Sequence, residues 1–341
     1  MTISRAQLVI ASSLLLLAPG CGRYADFSLP VLSGPKTASS FRWEALPNPV
    51  LARGAAGEWD SVDVLNPSVI SHDGKYINLY SGFDGRSWHT GLAVSGDGIS
   101  WIREGIVLSP DSSTWEGNYI AANGTLLRSG GEFFYWYQAG SPLGIGLARS
   151  LDGRSWKKTG PPVLRPGPRG SWDERGVADP YIVRFGDFFY MYFLGQDRAR
   201  RQRLGVARSP DGVEWEKLRA NPILALGPIG SFDEKGLGEP AVWASHGSYW
   251  LLYTGRDRNE NRRLGLARSS DGVHWTRVPG FPAVAGSAEW DSKVVCDPTV
   301  EVTADGIRVW FGGGNVASPD ENLNGQIGLA VLRPVGDTLS E

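Results

Sequence analysis

The sequence contains only two cysteines and four histidines, and its charged groups almost cancel to a net charge of -2. Cys21 lies in the N-terminal leader, so Cys296 has no partner in the rest of the chain and is predicted to be a small buried apolar residue. The histidines do not have the spacing of metal ligands, which argues against a dedicated zinc site. The absence of a basic excess argues against a nucleic-acid-binding protein.

Helical periodicity is also missing, since no apolar repeat of 3.6 residues continues beyond the first 20 residues. The chain is instead rich in residues that form turns and pack sheets, with 45 Gly, 22 Pro and 14 Trp. This composition indicates many short strands joined by tight turns. With 341 residues, 41% of them hydrophobic, the chain is long enough to bury a large core.

The first 21 residues are predicted to be a targeting segment. Arg5 precedes an apolar run at residues 8–17 that is too short to span a bilayer. The small residues that follow lead to Cys21, a pattern that resembles a bacterial lipoprotein signal. We expect Cys21 to carry the lipid anchor; the alternative is an ordinary cleaved signal peptide, and both predict export. Residues 22–40 are small and polar and are predicted to be a flexible tether.

One motif recurs along the rest of the chain: an aromatic residue, an acid, and a polar residue before Pro seven positions after the aromatic. The copies are Trp59-Asp60 with Asn66-Pro67, Trp115-Glu116 with Ala122-Asn123 (degenerate), Trp172-Asp173 with Asp179-Pro180, Phe232-Asp233 with Glu239-Pro240, and Trp290-Asp291 with Asp297-Pro298. A regular repeat of this length is typical of repeat folds. Because the motif acids occur once per repeat, we expect them to be architectural.

Each repeat is predicted to contain four strands. A Ser-x-Asp-Gly-x-x-Trp turn follows the third strand at Asp97, Asp152, Asp211 and Asp271, and an Asp-Gly pair between strand-forming runs indicates a hairpin. The fifth repeat stops after its third strand, whereas residues 43–51 resemble the fourth strand at residues 215–224. The sequence therefore predicts an all-β, five-bladed β-propeller over residues 41–334, closed by residues 41–51, with a tail at 335–341.

The strand order brings positions 66, 122, 179, 239 and 297 to one central pocket, where they read Asn, Ala, Asp, Glu and Asp. Carboxylates that converge repel one another, which raises the pKa of at least one of them. A protonated acid beside an ionised carboxylate is what glycoside hydrolysis requires. Asp179, Glu239 and Asp297 are therefore the catalytic candidates.

These motifs resemble the five-bladed propeller glycosidases, nearest to glycoside hydrolase family 43, with families 32, 62 and 130 as relatives. The resemblance implies that Glu239 is the general acid and that Asp179 tunes its pKa. It also implies an Asp base where this chain has Asn66. Three alternatives follow: Asp60 or Asp63 reaches the water, Asp297 serves as the base, or the protein is not a hydrolase. Family 130 shares the Asn-Pro start and includes phosphorylases, which need only one acid.

Other residues are candidates for substrate binding. Asn66, Asp63 and Asn123 lie near the predicted pocket, and Trp88 is a candidate for stacking on a sugar ring. Loops 195–203 and 255–263 are rich in arginine, which binds phosphate or carboxylate through two parallel hydrogen bonds. Their candidates are Arg198, Arg201, Arg256 and Arg258. The alternative is that these arginines pair with acids of their own loops.

Three functions remain open from the sequence. The first is an exported glycoside hydrolase that acts by inversion, the second is a family-130-like glycoside phosphorylase, and the third is a non-catalytic saccharide-binding lipoprotein. All three predict a saccharide ligand, which the arginines allow to be anionic. The sequence predicts no cofactor, no metal and no nucleic-acid partner. It also predicts a monomer that contacts the membrane only through its lipid.

Overall fold

Residues 23–281 and 283–336 are described by the structure, a computed structural model. Apart from one 3-10 turn at Glu289–Asp291, the regular elements of this part are strands. They are β1 (Tyr24–Ala25), β2 (Ser40–Ala45), β3 (Asp63–His72), β4 (Lys75–Phe83), β5 (Trp88–Ser95), β6 (Trp101–Leu108), β7 (Ala121–Ser129), β8 (Glu132–Ala139), β9 (Gly144–Ser150), β10 (Lys157–Lys158), β11 (Gly176–Phe185), β12 (Phe188–Gln196), β13 (Gln202–Ser209), β14 (Glu216–Leu218), β15 (Gly236–Ser245), β16 (Ser248–Arg256), β17 (Arg262–Ser269), β18 (Thr276–Arg277), β19 (Val294–Thr303), β20 (Gly306–Gly314) and β21 (Gln326–Val335). Among the described residues, no helix has the length and apolarity to cross a membrane.

The strands of each repeat pair with their sequence neighbours in antiparallel fashion. Four such groups are β3 to β6, β7 to β10, β11 to β14 and β15 to β18. A further group contains β19, β20 and β21, and its fourth strand is β2, from near the start of the described chain. The first strand of every group starts on the same side as the loop between its second and third strands; we call this side the mouth face and the opposite side the turn face.

The Ser-x-Asp-Gly turns lie on the turn face and have the hydrogen bonding predicted for them. Asp97 accepts hydrogen bonds from the backbone N–H groups of Ser100 and Ile99, at 2.7 and 2.8 Å. These bonds lower the pKa of Asp97 to about 2. The same pattern recurs at Asp152, Asp211 and Asp271, which confirms that the turn acids are structural.

The five motif acids are buried beneath the strands, and four of them pair with a base from the fourth strand of their own group. The pairs are Asp60 with Arg103, Glu116 with Lys158, Asp173 with Lys217, and Asp233 with Arg277. Three of these acids also accept a hydrogen bond from a tyrosine of the second strand. The prediction that they are architectural is confirmed, because a buried carboxylate is tolerated when it is paired and hydrogen-bonded.

Residues 23–39 pack against the strand groups, so the prediction of a flexible tether is wrong for this segment. β1 pairs in parallel with β14, and Leu29 is only 2% exposed. The Tyr249 hydroxyl donates to the Pro30 carbonyl at 2.6 Å. The physical reason is that Phe27 and Leu29 supply apolar surface within a stretch whose average composition is small and polar. We call residues 23–39 the strap.

Leu29 fills a place between two strand groups that a tryptophan takes elsewhere. The indole N–H groups of Trp136 and Trp310 donate to the carbonyls of Gly212 and Gly98 in the next group, each at 2.8 Å. Between the third and fourth groups the corresponding donor is the smaller Tyr192, which donates to Gly272 at 2.7 Å. Leu29 packs directly against Gly272. The strap therefore completes this contact.

Candidate functional site

The mouth-face end of each first strand contains a β-bulge, and one residue of each bulge has a positive φ. We call these five residues the ring residues. The five ring residues, with φ between 48° and 51°, are Asn66, Asn123, Asp179, Glu239 and Asp297. They line one pocket together with the Pro or Gly that follows each of them. Left-handed backbone is uncommon outside glycine, and Asn and Asp tolerate it best. The bulge therefore explains why four of the five residues are Asn or Asp.

The ring residue of the second repeat is Asn123, not Ala122 as the motif spacing predicts. Ala122 pairs in register with Gln138, and the bulge follows it at Asn123 and Gly124. The degenerate repeat is one residue longer between its aromatic residue and its bulge. The signal in the sequence is Asn123-Gly124, since Gly takes the place of Pro after a polar residue.

Backbone amides of the ring residues join the three carboxylates into a series. The Asn66 N–H donates to Asp297 Oδ2 at 3.3 Å, and the Asp297 N–H donates to Glu239 Oε2 at 3.4 Å. The Glu239 N–H donates in turn to the Asp179 carboxylate. Each carboxylate is thus held by the amide of the next strand group, and Glu239 lies in the middle of the series.

Two arginines face these carboxylates, the buried Arg262 and the partly buried Arg256. Arg262, whose side chain is 4% exposed, lies 3.9 Å from Glu239 Oε1 and donates to the Pro319 carbonyl at 2.8 Å. Its Nε has no hydrogen-bond partner among the described residues. Arg256 lies nearby, where burial and the charge of Arg262 lower its pKa to about 10. The pair offers positive charge and an unused N–H donor beside the pocket.

The pKa values of the two outer carboxyls of the series are raised. Burial, and then the charge of Glu239, raise the pKa of Asp179 to about 7, although Arg256 and Arg262 oppose the shift. Burial and Glu239 also raise the pKa of Asp297 well above its ordinary value. Asp179 and Asp297 therefore bind protons more readily than ordinary carboxyls, so they can supply the proton that general acid catalysis requires.

Asp63, Asp60 and Trp88 lie away from the pocket. Asp63 is buried and accepts hydrogen bonds from the backbone N–H groups of residues 322, 323 and 325, while Asp60 is bonded to Tyr80 and Arg103. Neither residue belongs to the pocket lining. Trp88 is 5% exposed and stacks on Phe83, so it has no open face for a sugar.

Three of the four predicted arginines point to solvent and pair with acids. Arg198, Arg201 and Arg258 pair with Glu174, Asp197 and Glu234. Arg256 lies near the carboxylates and also 3.6 Å from Glu260 of its own loop, while Arg262 was not among the predicted residues. A signal for it exists: residues two apart in a strand share a face, so Arg262 shares the buried face of Leu264 and Arg263 faces solvent. Cys21 lies outside the described residues.

Comparisons with known proteins agree with this architecture. Residues 132–287 match the family described as Glycosyl hydrolases family 32 N-terminal domain. The chain is 32% identical over 160 residues to an uncharacterized protein of Mycobacterium tuberculosis, which covers 44% of this chain and 52% of that protein. It is 26% identical over 125 residues to a 1,2-beta-oligomannan phosphorylase of Thermoanaerobacter, covering 34% of this chain and 41% of that enzyme. The chain thus spans about half the length of the curated relatives it matches.

Solved structures share the fold at low identity. A structure described as a glycoside hydrolase aligns over 87% of this chain and 95% of its own, with a TM-score of 0.70 and 18% identity. The beta-1,2-mannobiose phosphorylase of Listeria innocua aligns over 86% and 97%, with a TM-score of 0.68 and 13% identity. A thermostable family-43 glycoside hydrolase aligns over 82% and 94%, with a TM-score of 0.62 and 18% identity.

The fold is therefore that of β-propeller enzymes that act on glycosides. The chain resembles the propeller glycosidases of families 32, 43 and 130, as its motifs indicate.

Proposed function

We propose that this chain is a five-bladed propeller whose ring is closed by β2, and that its mouth-face pocket cleaves glycosidic bonds by transfer to inorganic phosphate. The five four-stranded groups and the pairing of β2 with β21 support the ring. The predicted leader supports an exported, lipid-anchored monomer that acts on extracellular or periplasmic saccharide.

Phosphate is favoured over water by the spacing of the carboxylates. An inverting hydrolase needs two carboxyl groups about 6.5–9.5 Å apart, with room for a water between them. Oxygen atoms of Glu239 and Asp297 lie within 4.8 Å of each other, while Asp60 and Asp63 do not line the pocket. Asn66, where the family 43 resemblance implies a base, cannot take a proton. The observation that carries the proposal is therefore the short spacing of Glu239 and Asp297, with the two arginines Arg256 and Arg262 beside them.

In the proposed reaction, Glu239 gives a proton to the glycosidic oxygen, a contribution of roughly 10²–10⁴-fold for a positioned acid. Arg256 and Arg262 hold the phosphate through charge-assisted hydrogen bonds. The bond between the anomeric carbon and the glycosidic oxygen breaks as a phosphate oxygen bonds to that carbon. The proton of the hydrogen phosphate restores the acid. The products are a sugar phosphate and the shortened saccharide.

The test is turnover of a panel of saccharides with and without phosphate, read as released sugar phosphate and free sugar. The panel includes β-1,2-linked mannosides, because a curated relative is named as a phosphorylase of such glycans. We expect phosphate-dependent turnover, at least 100-fold lower in Glu239→Gln and unchanged in the matched control Glu216→Gln, on outer strand β14. Full activity of Glu239→Gln would contradict the acid role.

Hydrolysis is the second candidate. It is supported by the propeller hydrolases among the structural neighbours and by Asp179, whose pKa of about 7 suits proton exchange near neutral pH. Turnover that is independent of phosphate would select it. Binding of saccharides without any turnover would select the non-catalytic lipoprotein.

A further inference from the structure

Cys296 carries a thiol, unlike the other residues that directly precede a ring residue. The other four are apolar: Leu65, Ala122, Ala178 and Gly238. Packing at this position is therefore satisfied without a polar atom. Cys296 is fully buried, yet its Sγ lies 3.1 Å from Asp297 Oδ2. The prediction of a small buried apolar residue is correct for its burial and omits this contact.

The thiol and a backbone amide hold one oxygen of Asp297. Oδ2 accepts hydrogen bonds from the Cys296 thiol and the Asn66 N–H, whereas Oδ1 has no partner among the described residues. Gly312 makes this geometry possible: a Cβ there would lie 2.8 Å from Oδ2 and 3.1 Å from Sγ. Asp297 is thus fixed through one oxygen while the other is unused.

The sulfur also lies near the arginine that faces Glu239. The charge of Arg262 opposes the rise that burial causes in the pKa of the Cys296 thiol, and Arg262 lies 3.9 Å from Glu239 Oε1. The titratable and charged groups that surround Asp297 are Cys296 on its own strand, Glu239 on β15, Asp179 on β11 and Arg262 on β17.

We propose that Cys296 is a positioning residue whose thiol holds Oδ2 of Asp297 and leaves Oδ1 as the oxygen that exchanges protons with Glu239. This inference rests on the proposed function, in which the carboxyl series supplies the acid. A donated hydrogen bond stabilises the ionised form of a carboxyl. The thiol therefore keeps the pKa of Asp297 lower than burial alone would set it.

The test compares Cys296→Ser, which keeps a donor, with Cys296→Val, which removes it and is close in size. The pKa of Asp297 is measured without substrate, by carbon NMR of labelled aspartate assigned with Asp297→Asn. We expect the pKa to rise by about one pH unit in the Val variant and to stay close to wild type in the Ser variant. Melting temperatures show whether both variants remain folded.

The pH profile of kcat/KM is the second measurement. We expect the apparent pKa in this profile that reports Asp297 to shift by the same amount as the pKa measured by NMR. Equal Asp297 pKa values in all three proteins would overturn the positioning role, whatever the activity. A shifted pKa together with no turnover by wild type would keep the thiol–carboxyl link and overturn the proposed function.

Discussion

Ala45 lies directly opposite Ala330 in the last strand group. In each of the other four groups, an Ala of the third strand lies opposite a basic residue of the fourth strand. These basic residues are Arg103, Lys158, Lys217 and Arg277. Each of these bases pairs with the motif acid of its own group. Asp291, the acid of the last group, therefore lacks the cation that the others have, and burial raises its pKa.

We expect Ala45→Arg to supply that cation and to raise the free energy of unfolding by about 1–2 kcal/mol at neutral pH. Because the new charge would lower the pKa of Asp291, the gain should be lost as the pH falls through that pKa. Urea denaturation at pH 7 and pH 4 measures both. Ala45→Met, which adds a stem without charge, is the control; an equal gain there would show that packing alone is responsible.

Leu29→Ala tests the strap. Removing a buried leucine costs about 2–5 kcal/mol, because the cavity closes only in part. We therefore expect the whole described domain to lose stability by this amount. Val31→Ala, two residues away and 93% exposed, should have no effect. If the two variants melt at the same temperature, the strap is not part of the folded unit.

Asp179→Asn tests the raised pKa of Asp179. Its folded-state pKa of about 7 exceeds the unfolded value, so wild type loses stability as the pH rises from about 4 through 7. The amide does not titrate, so the variant should gain on wild type over this range, by about 1–4 kcal/mol at pH 8. Denaturation at pH 4 and pH 8 measures the difference. The exposed Asp187→Asn is the control, and a pH-independent difference for Asp179→Asn would contradict the shift.

Gly312→Ala tests the space around the carboxyl series. Its Cβ would meet Asp297, Leu65 and Cys296 within about 3 Å, and overpacking of this kind costs about 1–3 kcal/mol. We expect lower stability and a lower kcat, since Asp297 must move. The matched control is Gly96→Ala, where a Cβ would contact nothing within 4 Å. Wild-type kcat in the Gly312 variant would show that the position of Asp297 is unimportant for turnover.

Cys21→Ser tests the predicted anchor. Without the thiol no lipid can be attached, so we expect the variant to leave the membrane fraction of an expressing bacterium and enter the soluble fraction. The measurement is an immunoblot of the two fractions, with Cys296→Ser as the control that keeps the anchor. Membrane association of both variants would support a different mode of attachment.

The repeating features of the chain were predictable because they are local. The motif acids, the Asp-Gly turns and four of the five bulges follow from residues close in sequence, and each occurs several times. Asn123 was misplaced by one position because the degenerate repeat is longer by one residue. The repeat interval alone does not locate such an insertion.

The contacts that were missed are between segments far apart in the chain. Leu29 packs against Gly272, beside a tyrosine at the position where two other groups have tryptophan. Arg262 and Cys296 look like an ordinary loop arginine and an isolated cysteine. Their importance comes from Glu239 and Asp297, which the fold brings beside them. Sequence patterns report which face of a strand is buried, but not which neighbour lies across it.

The position of the strap and β2 also bears on how the chain is made. Residues 24–45 find their partners between residues 181 and 335. They are synthesised early, but most of these partners are synthesised only near the end of the chain. Contacts at such sequence separation form slowly, because the entropy cost of closing a long loop comes before the contacts can stabilise the chain. Until β21 has been synthesised, β2 and β20 both lack the strand with which they pair. We therefore expect the last blade to be the slowest to fold, and an incomplete chain to expose its unpaired strands to other molecules.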